Sequence, residues 1–302
     1  MGLGSRISGV YTALVTPFTQ DGAIDWPAFD RLLEFQARAE VDGIVISGTT
    51  GEAPTLTVDE KISLFRRART ALPRNIAVMA GTGGNCTKQS IELSKLAQDA
   101  GVDSLLIVTP PYNKPSLEGL QAHYGALGQN LRLPLCLYHV PSRTGQRLTA
   151  EELSLLCALP QIKAVKEASG DLYLFSKARK ASDAVYLSGD DFTFLASLAV
   201  GGQGVISVVT NVFPRAFVVL QRSFQGGHLT AATAIHDALL SFTEALFSES
   251  SPGPTKAVLS HMGLIENCLR LPLVPVQSQT MQRLKEVYQS TQSRLKELGA
   301  LS

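Results

Sequence analysis

The sequence predicts a (β/α)8 barrel followed by a C-terminal helical extension. Three observations carry this expectation. Eight short apolar runs recur over residues 1–224. Stretches with helical periodicity follow most of them. The runs are apolar almost throughout, as parallel strands covered on both faces are. A doubly wound open sheet is the competing architecture. It usually has fewer repeats and a dinucleotide fingerprint, and no Gly-x-Gly-x-x-Gly follows the first run.

In chain order the runs are 10–16, 43–47, 76–80, 104–109, 133–140, 162–168, 184–188 and 204–208. Helical stretches are expected at 25–39, where Phe29, Leu32, Leu33 and Phe35 recur with helical spacing, and at 57–72. The second opens Thr57-Val58-Asp59-Glu60, a capping-box pattern. Others are expected at 87–100, at 149–158 with a second box in Thr149-Ala150-Glu151-Glu152, at 172–182 and at 192–199. After Phe224 the pattern changes to helices at 226–247, 255–267 and 277–298, with a loop at 250–254 and a proline-punctuated break at 271–275. The chain therefore divides into a catalytic barrel, 1–224, and a helical domain, 225–302.

Composition narrows the function classes. Net charge is +1 with no acidic or basic block, so neither nucleic acid nor an anionic membrane gains support as a partner. The opening residues lack the apolar core of a signal peptide, and no run reaches the roughly twenty apolar residues of a membrane span. The protein is expected to be soluble and cytoplasmic. Cys86, Cys136, Cys157 and Cys268 lie far apart without a Cys-x-x-Cys pair, and the histidines show neither His-x-His nor His-Glu-x-x-His spacing. Buried thiols and no metal are the expectation.

The run Ile162-Lys163-Ala164-Val165-Lys166-Glu167-Ala168, closed by Ser169-Gly170, carries the chemistry. Alternation along a strand puts Ile162, Ala164, Lys166 and Ala168 on one face and Lys163, Val165 and Glu167 on the other. Lys166 is then mid-strand between two alanines, short of a route to water. Desolvation favours the neutral amine, a nucleophile towards carbonyls, so a Schiff base with an oxo acid is the functional reading. The bland alternative is a lysine at a strand end that reaches solvent.

Barrel chemistry sits at the C-terminal strand ends. Those ends carry Gly48-Thr49-Thr50-Gly51-Glu52, Gly81-Thr82-Gly83-Gly84-Asn85, Thr109-Pro110-Pro111-Tyr112-Asn113, Tyr138-His139-Val140-Pro141-Ser142-Arg143-Thr144-Gly145, Lys166 itself, Ser188-Gly189-Asp190-Asp191 and Ile206-Ser207. Thr49 and Thr50 can present two N–H groups and two hydroxyls to a carboxylate, or form a plain turn. Residues 81–84 lack a P-loop lysine, so tight-turn geometry is their expected use rather than phosphate binding. Tyr138 can relay protons, or be a buried aromatic with a satisfied hydroxyl. Arg143 can hold a second carboxylate, or be a solvated loop arginine.

These motifs together resemble the dihydrodipicolinate synthase and N-acetylneuraminate lyase family of pyruvate-dependent class I aldolases, from Gly9 to about Val276. Pro141-Ser142-Arg143-Thr144-Gly145 is similar to the synthase branch. The resemblance implies that pyruvate forms a covalent imine on Lys166, with no other cofactor, and that the derived enamine attacks aspartate semialdehyde in lysine and diaminopimelate biosynthesis. It implies that Thr49 and Thr50 hold the pyruvate carboxylate. Tyr138, Thr50 and Tyr112 would relay protons, with Tyr112 lent by a neighbouring subunit. Arg143 would bind the semialdehyde, with Gly189 and Ile206 making backbone contacts around the substrate. It further implies a homotetramer built as a dimer of dimers.

His139 replaces a common asparagine, with little effect expected because it points to the opposite strand face. Val58, Lys61, Gln89 and Pro111 stand where lysine-inhibited relatives often carry two histidines, a glutamate and a tyrosine; Asn85 is retained. Feedback inhibition by lysine is therefore expected to be weak or absent. Two other functions stay open at this point: another 2-oxo-acid aldolase of the same family, and a non-catalytic binding barrel. Borohydride trapping with pyruvate separates the second of these from any enzyme.

Overall fold

A computed structural model describes residues 7–301. The start of the chain, 1–6, on which the expectation about a leader partly rests, lies outside the described residues, as does Ser302. Eight parallel strands close into a barrel: β1 (Gly9–Ala13), β2 (Gly43–Ile46), β3 (Ala77–Gly81), β4 (Ser104–Val108), β5 (Leu135–His139), β6 (Ile162–Glu167), β7 (Val185–Ser188) and β8 (Gly204–Ser207). Each pairs with the next, and β1 closes on β8. All eight expected runs are strands, trimmed at their ends.

The continuous apolar runs resolve into two alternating layers. Tyr11, Val45, Met79, Leu106, Cys136, Ala164, Leu187 and Ile206, one from each strand, fill the barrel interior. Their neighbours Val10, Ile44, Val78, Leu105, Leu137, Val165, Tyr186 and Val205 face the helices. Burying each large apolar side chain contributes about 1.5–3 kcal/mol, so both strand faces hold the fold together. The seam between first and last strands needs bare backbone. A β-carbon on Gly204, whose φ is +152°, would lie 2.0 Å from the Gly9 carbonyl oxygen.

The barrel's outer ring comprises α1 (Trp26–Arg38), α2 (Val58–Ala71), α3 (Thr87–Asp99), α4 (Leu117–Asn130), a one-turn α5 (Pro141–Thr144), α6 (Ala150–Cys157), α7 (Leu172–Lys180), α8 (Phe194–Ala199) and α9 (Pro214–Gln225). Both expected capping boxes form, Thr57 with Glu60 and Thr149 with Glu152. Besides the one-turn α5, two helices were not expected. In α4, Gly119, Gly125 and Gly128 weaken helix propensity, yet Leu120, His123, Tyr124 and Leu127 recur on its buried face. α9 is clearly amphipathic, with Pro214, Ala216, Phe217, Val218, Leu220 and Gln221 buried and Arg222 and Gln225 exposed, so its periodicity was present in the sequence.

The remaining helices are α10 (Leu229–Leu246), α11 (Gly253–His261) and α12 (Ser278–Glu297). α11 ends six residues before the expected boundary at 267, because Met262 caps it and Gly263 turns the chain at φ +73°. α10 packs on both α9 and α12. Phe242, Leu246, Leu284 and Leu295 belong to the same core cluster as the helix-facing strand residues.

β6 departs from strict alternation. Leu135 of β5 pairs with Ile162, but Cys136 pairs with Ala164, so Lys163 is an extra, exposed residue. This bulge moves Ile162 to the helix-facing core, not the face of Lys166 as simple alternation implied. The strand ends at Glu167, so Lys166 is penultimate in it rather than central, near the barrel's C-terminal mouth.

Candidate active site

Lys166 and Tyr138 are register partners on β6 and β5. The Lys166 side chain is 6% exposed, and its Nζ stands 4.1 Å from the centroid of the Tyr138 ring. Among the described residues no carboxylate lies within ion-pair distance of that nitrogen. Cys136, one layer deeper, supplies no counter-charge, because burial pushes its thiol up to about 12. The amine is thus shielded, close to an aromatic face and free of a competing anion.

Gly189, just past β7, makes room for it. A β-carbon there would meet Ala168 Cβ at 2.7 Å, Lys166 Cγ at 2.9 Å and Lys166 Cε at 3.0 Å. The lysine stem can lie in this path only because residue 189 has no side chain.

The turn after β2 faces the same space. Gly51, Glu52 and Ala53 N–H groups donate to Gly48 and Thr49 carbonyls within the turn. Those of Thr49 and Thr50 have no acceptor among the described residues, which leaves an anion-binding concavity. Thr16 Oγ1 donates to the Gly51 carbonyl at 2.7 Å and ties the turn to the end of β1.

One cleft of about 680 Å³ is lined by Thr49, Thr50, Tyr138, Arg143, Lys166 and Gly189. Arg143 sits on α5, exposed at the rim, where Gly145 stops the helix in the left-handed region. Two sequence-predicted residues do not line this cleft with their side chains. Ile206 keeps its side chain in the barrel interior, 1% exposed. Tyr112 is 89% exposed and held at φ +74°, away from this chain's cleft.

Strand ends alone did not reveal the far wall. Phe247, Ser248, Glu249, Ser250 and Ser251 reach the cleft from the loop after α10, and Phe192 meets Phe247 with ring centroids 5.8 Å apart. The apolar Phe247 beside a Ser-rich loop was the available signal. Asp190 also lines the cleft, its carboxyl raised by burial. Asp191, behind it, is pushed up to about 6 by burial and accepts from the Val208 N–H at 3.1 Å.

The structure explains Glu167, which the sequence left without a role. On the helix-facing side of β6, Oε1 accepts from Ser169 N–H at 2.9 Å and lies 3.1 Å from His139 Nδ1. His139 Nε2 accepts from Leu148 N–H at 3.0 Å, so the ring proton is on Nδ1 and points at Glu167. The two residues brace β5 and β6 behind Tyr138 and Lys166.

Residues 81–84 are a packing turn. Thr82 and Gly83 N–H groups both donate to the Leu106 carbonyl, and a β-carbon on Gly83 would meet Val108 N at 2.4 Å. Among the described residues no group of three His, Cys, Asp or Glu side chains could hold a metal ion, and no helix is long and apolar enough to cross a membrane.

Comparison with known proteins identifies the family. The profile of the Dihydrodipicolinate synthetase family matches residues 6–291. The 4-hydroxy-tetrahydrodipicolinate synthase of Moorella thermoacetica is 43% identical over 284 residues, covering 93% of this chain and 97% of that protein. The 4-hydroxy-tetrahydrodipicolinate synthase structure from Methylacidiphilum fumariolicum SolV superposes with a TM-score of 0.94 at 40% identity, covering 98% of this chain and 99% of that one. A dihydrodipicolinate synthase variant described as monomeric gives 0.93 at 37% identity, covering 96% and 98%.

Gly189→Ala is expected to fold but to displace the Lys166 amine. Borohydride trapping of pyruvate should then slow by about tenfold to a hundredfold. A trapping rate equal to the wild type would show that the lysine stem does not need this gap.

Proposed function

The chain belongs to the dihydrodipicolinate synthetase family, and on that premise we propose which of its residues carry out the 4-hydroxy-tetrahydrodipicolinate synthase reaction. The reaction condenses pyruvate with L-aspartate 4-semialdehyde, in the lysine and diaminopimelate pathway. The observation that carries the assignment is the shielded Lys166 amine without an anionic partner, facing the same cleft as the Thr49–Thr50 turn.

Thr49 and Thr50 hold the pyruvate carboxylate with free N–H groups and hydroxyls. Lys166 Nζ attacks the ketone carbon, and the carbinolamine loses water to give the imine. No separate cofactor is required, because the protonated imine is itself the electron sink. Loss of a methyl proton gives the enamine, whose carbon bonds to the aldehyde carbon of the semialdehyde. The acceptor's own amine then displaces Lys166 and closes the ring. Tyr138 and Thr50, beside the amine, pass protons to and from the carbinolamine and the new alkoxide. Arg143 at the rim holds the acceptor carboxylate, which distinguishes this reaction from other 2-oxo-acid aldolase reactions. Gly189 and Ile206 contribute backbone around the imine.

Tyr112 completes the relay of a second copy of the chain. An exposed aromatic held at positive φ is costly for an isolated chain. Docking against a neighbour's cleft gives that conformation a use, and it supports the homotetramer built as a dimer of dimers. The enzyme acts in the cytoplasm.

Arg143→Ala should raise the semialdehyde KM by roughly tenfold to a hundredfold, the equivalent of a charge-assisted hydrogen bond of about 1.5–3 kcal/mol, and leave pyruvate trapping intact. An unchanged semialdehyde KM would remove Arg143 from this role. Lysine should inhibit weakly or not at all. Val58 is half exposed at the first residue of α2, and Lys61, one turn along, is partly buried with its ammonium pulled down by desolvation. Neither offers a lysine ligand a countercharge. Initial rates should be unaffected by millimolar lysine, and complete inhibition would contradict this.

A further inference from the structure

The turn that presents Thr49 and Thr50 is unusual in its backbone. Ser47 and Glu52, at its two ends, are both non-glycine residues at positive φ, +57° and +56°. Such residues persist only where the surroundings over-determine them. At Glu52 those surroundings come from the far end of the chain.

The Glu52 side chain runs away from the cleft into the interface with the helical extension. Its Oε1 forms an ion pair with Lys256 Nζ of α11, and both side chains are fully buried. Its Oε2 accepts from the Arg270 N–H at 3.0 Å. Lys256 Nζ also donates to the Cys268 carbonyl at 2.8 Å and sits 4.1 Å from the centroid of the Phe18 ring. Burial draws the Lys256 ammonium down, and Glu52 beside it acts in the opposite direction.

Arg270 locks the surroundings. Its guanidinium lies over the same Phe18 ring at 4.4 Å and reaches both carboxylate oxygens of Glu60, at 2.9 and 2.5 Å. It also donates to the Gly22 and Thr55 carbonyls. Glu60 is the capping-box residue of α2. The loop after β1, the turn after β2, the start of α2 and the extension therefore meet at one cluster, fully buried at Glu52 and Lys256 and partly exposed at Arg270 and Glu60. A buried ion pair is a poor source of net stability compared with apolar packing, but its geometry is demanding. Glu52 is two residues from Thr50, and its own N–H donates to the Thr49 carbonyl at 3.0 Å.

We propose that Lys256 is a positioning residue for the 2-oxo acid: through Glu52 it holds the 48–52 turn so that Thr49 and Thr50 meet the substrate carboxylate. The helical extension thereby sets pyruvate affinity, and this rests on the assignment of Thr49 and Thr50 above. Lys256 does not touch substrate. Its loss changes where the two threonines stand, whereas Arg143 and the acceptor side of the cleft keep their places.

The test uses the full chain carrying Lys256→Met, Glu52→Gln or Thr50→Val. Half-saturating pyruvate is read from borohydride trapping, both KM values from steady-state rates, and folding from thermal unfolding. Lys256→Met should raise half-saturating pyruvate by about tenfold or more, with the semialdehyde KM within about twofold of wild type. Glu52→Gln, which keeps the shape and the acceptor for Arg270, should shift pyruvate in the same direction by less, and it carries the test if Lys256→Met does not fold. Pyruvate saturation unchanged in a folded variant would overturn the proposal, as would equal rises in both KM values that follow the loss of thermal stability. If Thr50→Val alone left pyruvate binding unchanged, the assignment of the turn itself would fail. If Thr50→Val weakened pyruvate and Lys256→Met did not, only the positioning role would fail.

Discussion

The proposed chemistry depends on keeping one amine out of water without giving it an anion to neutralise. Lys166 is 6% exposed and lies against the face of Tyr138. A carboxylate in its place would hold the ammonium form and block attack on a ketone. An aromatic face gives a cation modest support and does not compete for the lone pair of the neutral amine. Small or neutral neighbours serve the same end: Ala164 beneath, Ala168 beyond, Gly189 alongside and the protonated Cys136 thiol one layer down. The acidic residue next in sequence, Glu167, faces the helices and is occupied by Ser169 and His139. A carboxylate and an ammonium adjacent in sequence are thus kept on opposite faces of β6.

The barrel makes this arrangement rigid. Eight interior side chains, one per strand, form the layer on which the site rests, and the bare glycine contact between β1 and β8 permits closure. The bulge at Lys163 matters for the same reason, since it sets which face the later residues of β6 present. Two ion pairs of the fold stand apart from the amine. Glu52 meets Lys256, and Arg270 meets Glu60, whose carboxyl is held down to about 2 chiefly by the Arg270 hydrogen bonds. Ion pairing therefore supports the 48–52 turn from behind, while the Lys166 nitrogen has no carboxylate partner among the described residues.

Much of this was legible in the amino-acid order because it follows local periodicity. Strand runs, capping boxes and the alternation of Lys166 against Glu167 are properties of neighbouring residues. The strand-end concentration of Thr50, Tyr138 and Arg143 follows from the barrel once its strands are placed. What was not legible depends on distant contacts. The bulge that moves Ile162 is set by pairing with β5. α4 is built despite three glycines because its apolar face packs on the barrel. The cleft wall at 247–251 and the partner of Glu52 come from beyond α9, where no strand register leads to them. Glu167 could be assigned only once His139 and Leu148 were seen together. Tyr112 was placed by resemblance alone, and the single chain leaves it facing outward.

The most direct measurement is reduction of the purified protein with borohydride in the presence of pyruvate, followed by peptide mass mapping of the wild type and of Lys166→Ala. One pyruvate-derived adduct, confined to the peptide holding Lys166 and absent with condensation activity from Lys166→Ala, is the predicted result. An adduct on another lysine, or condensation that survives in Lys166→Ala, would contradict the account.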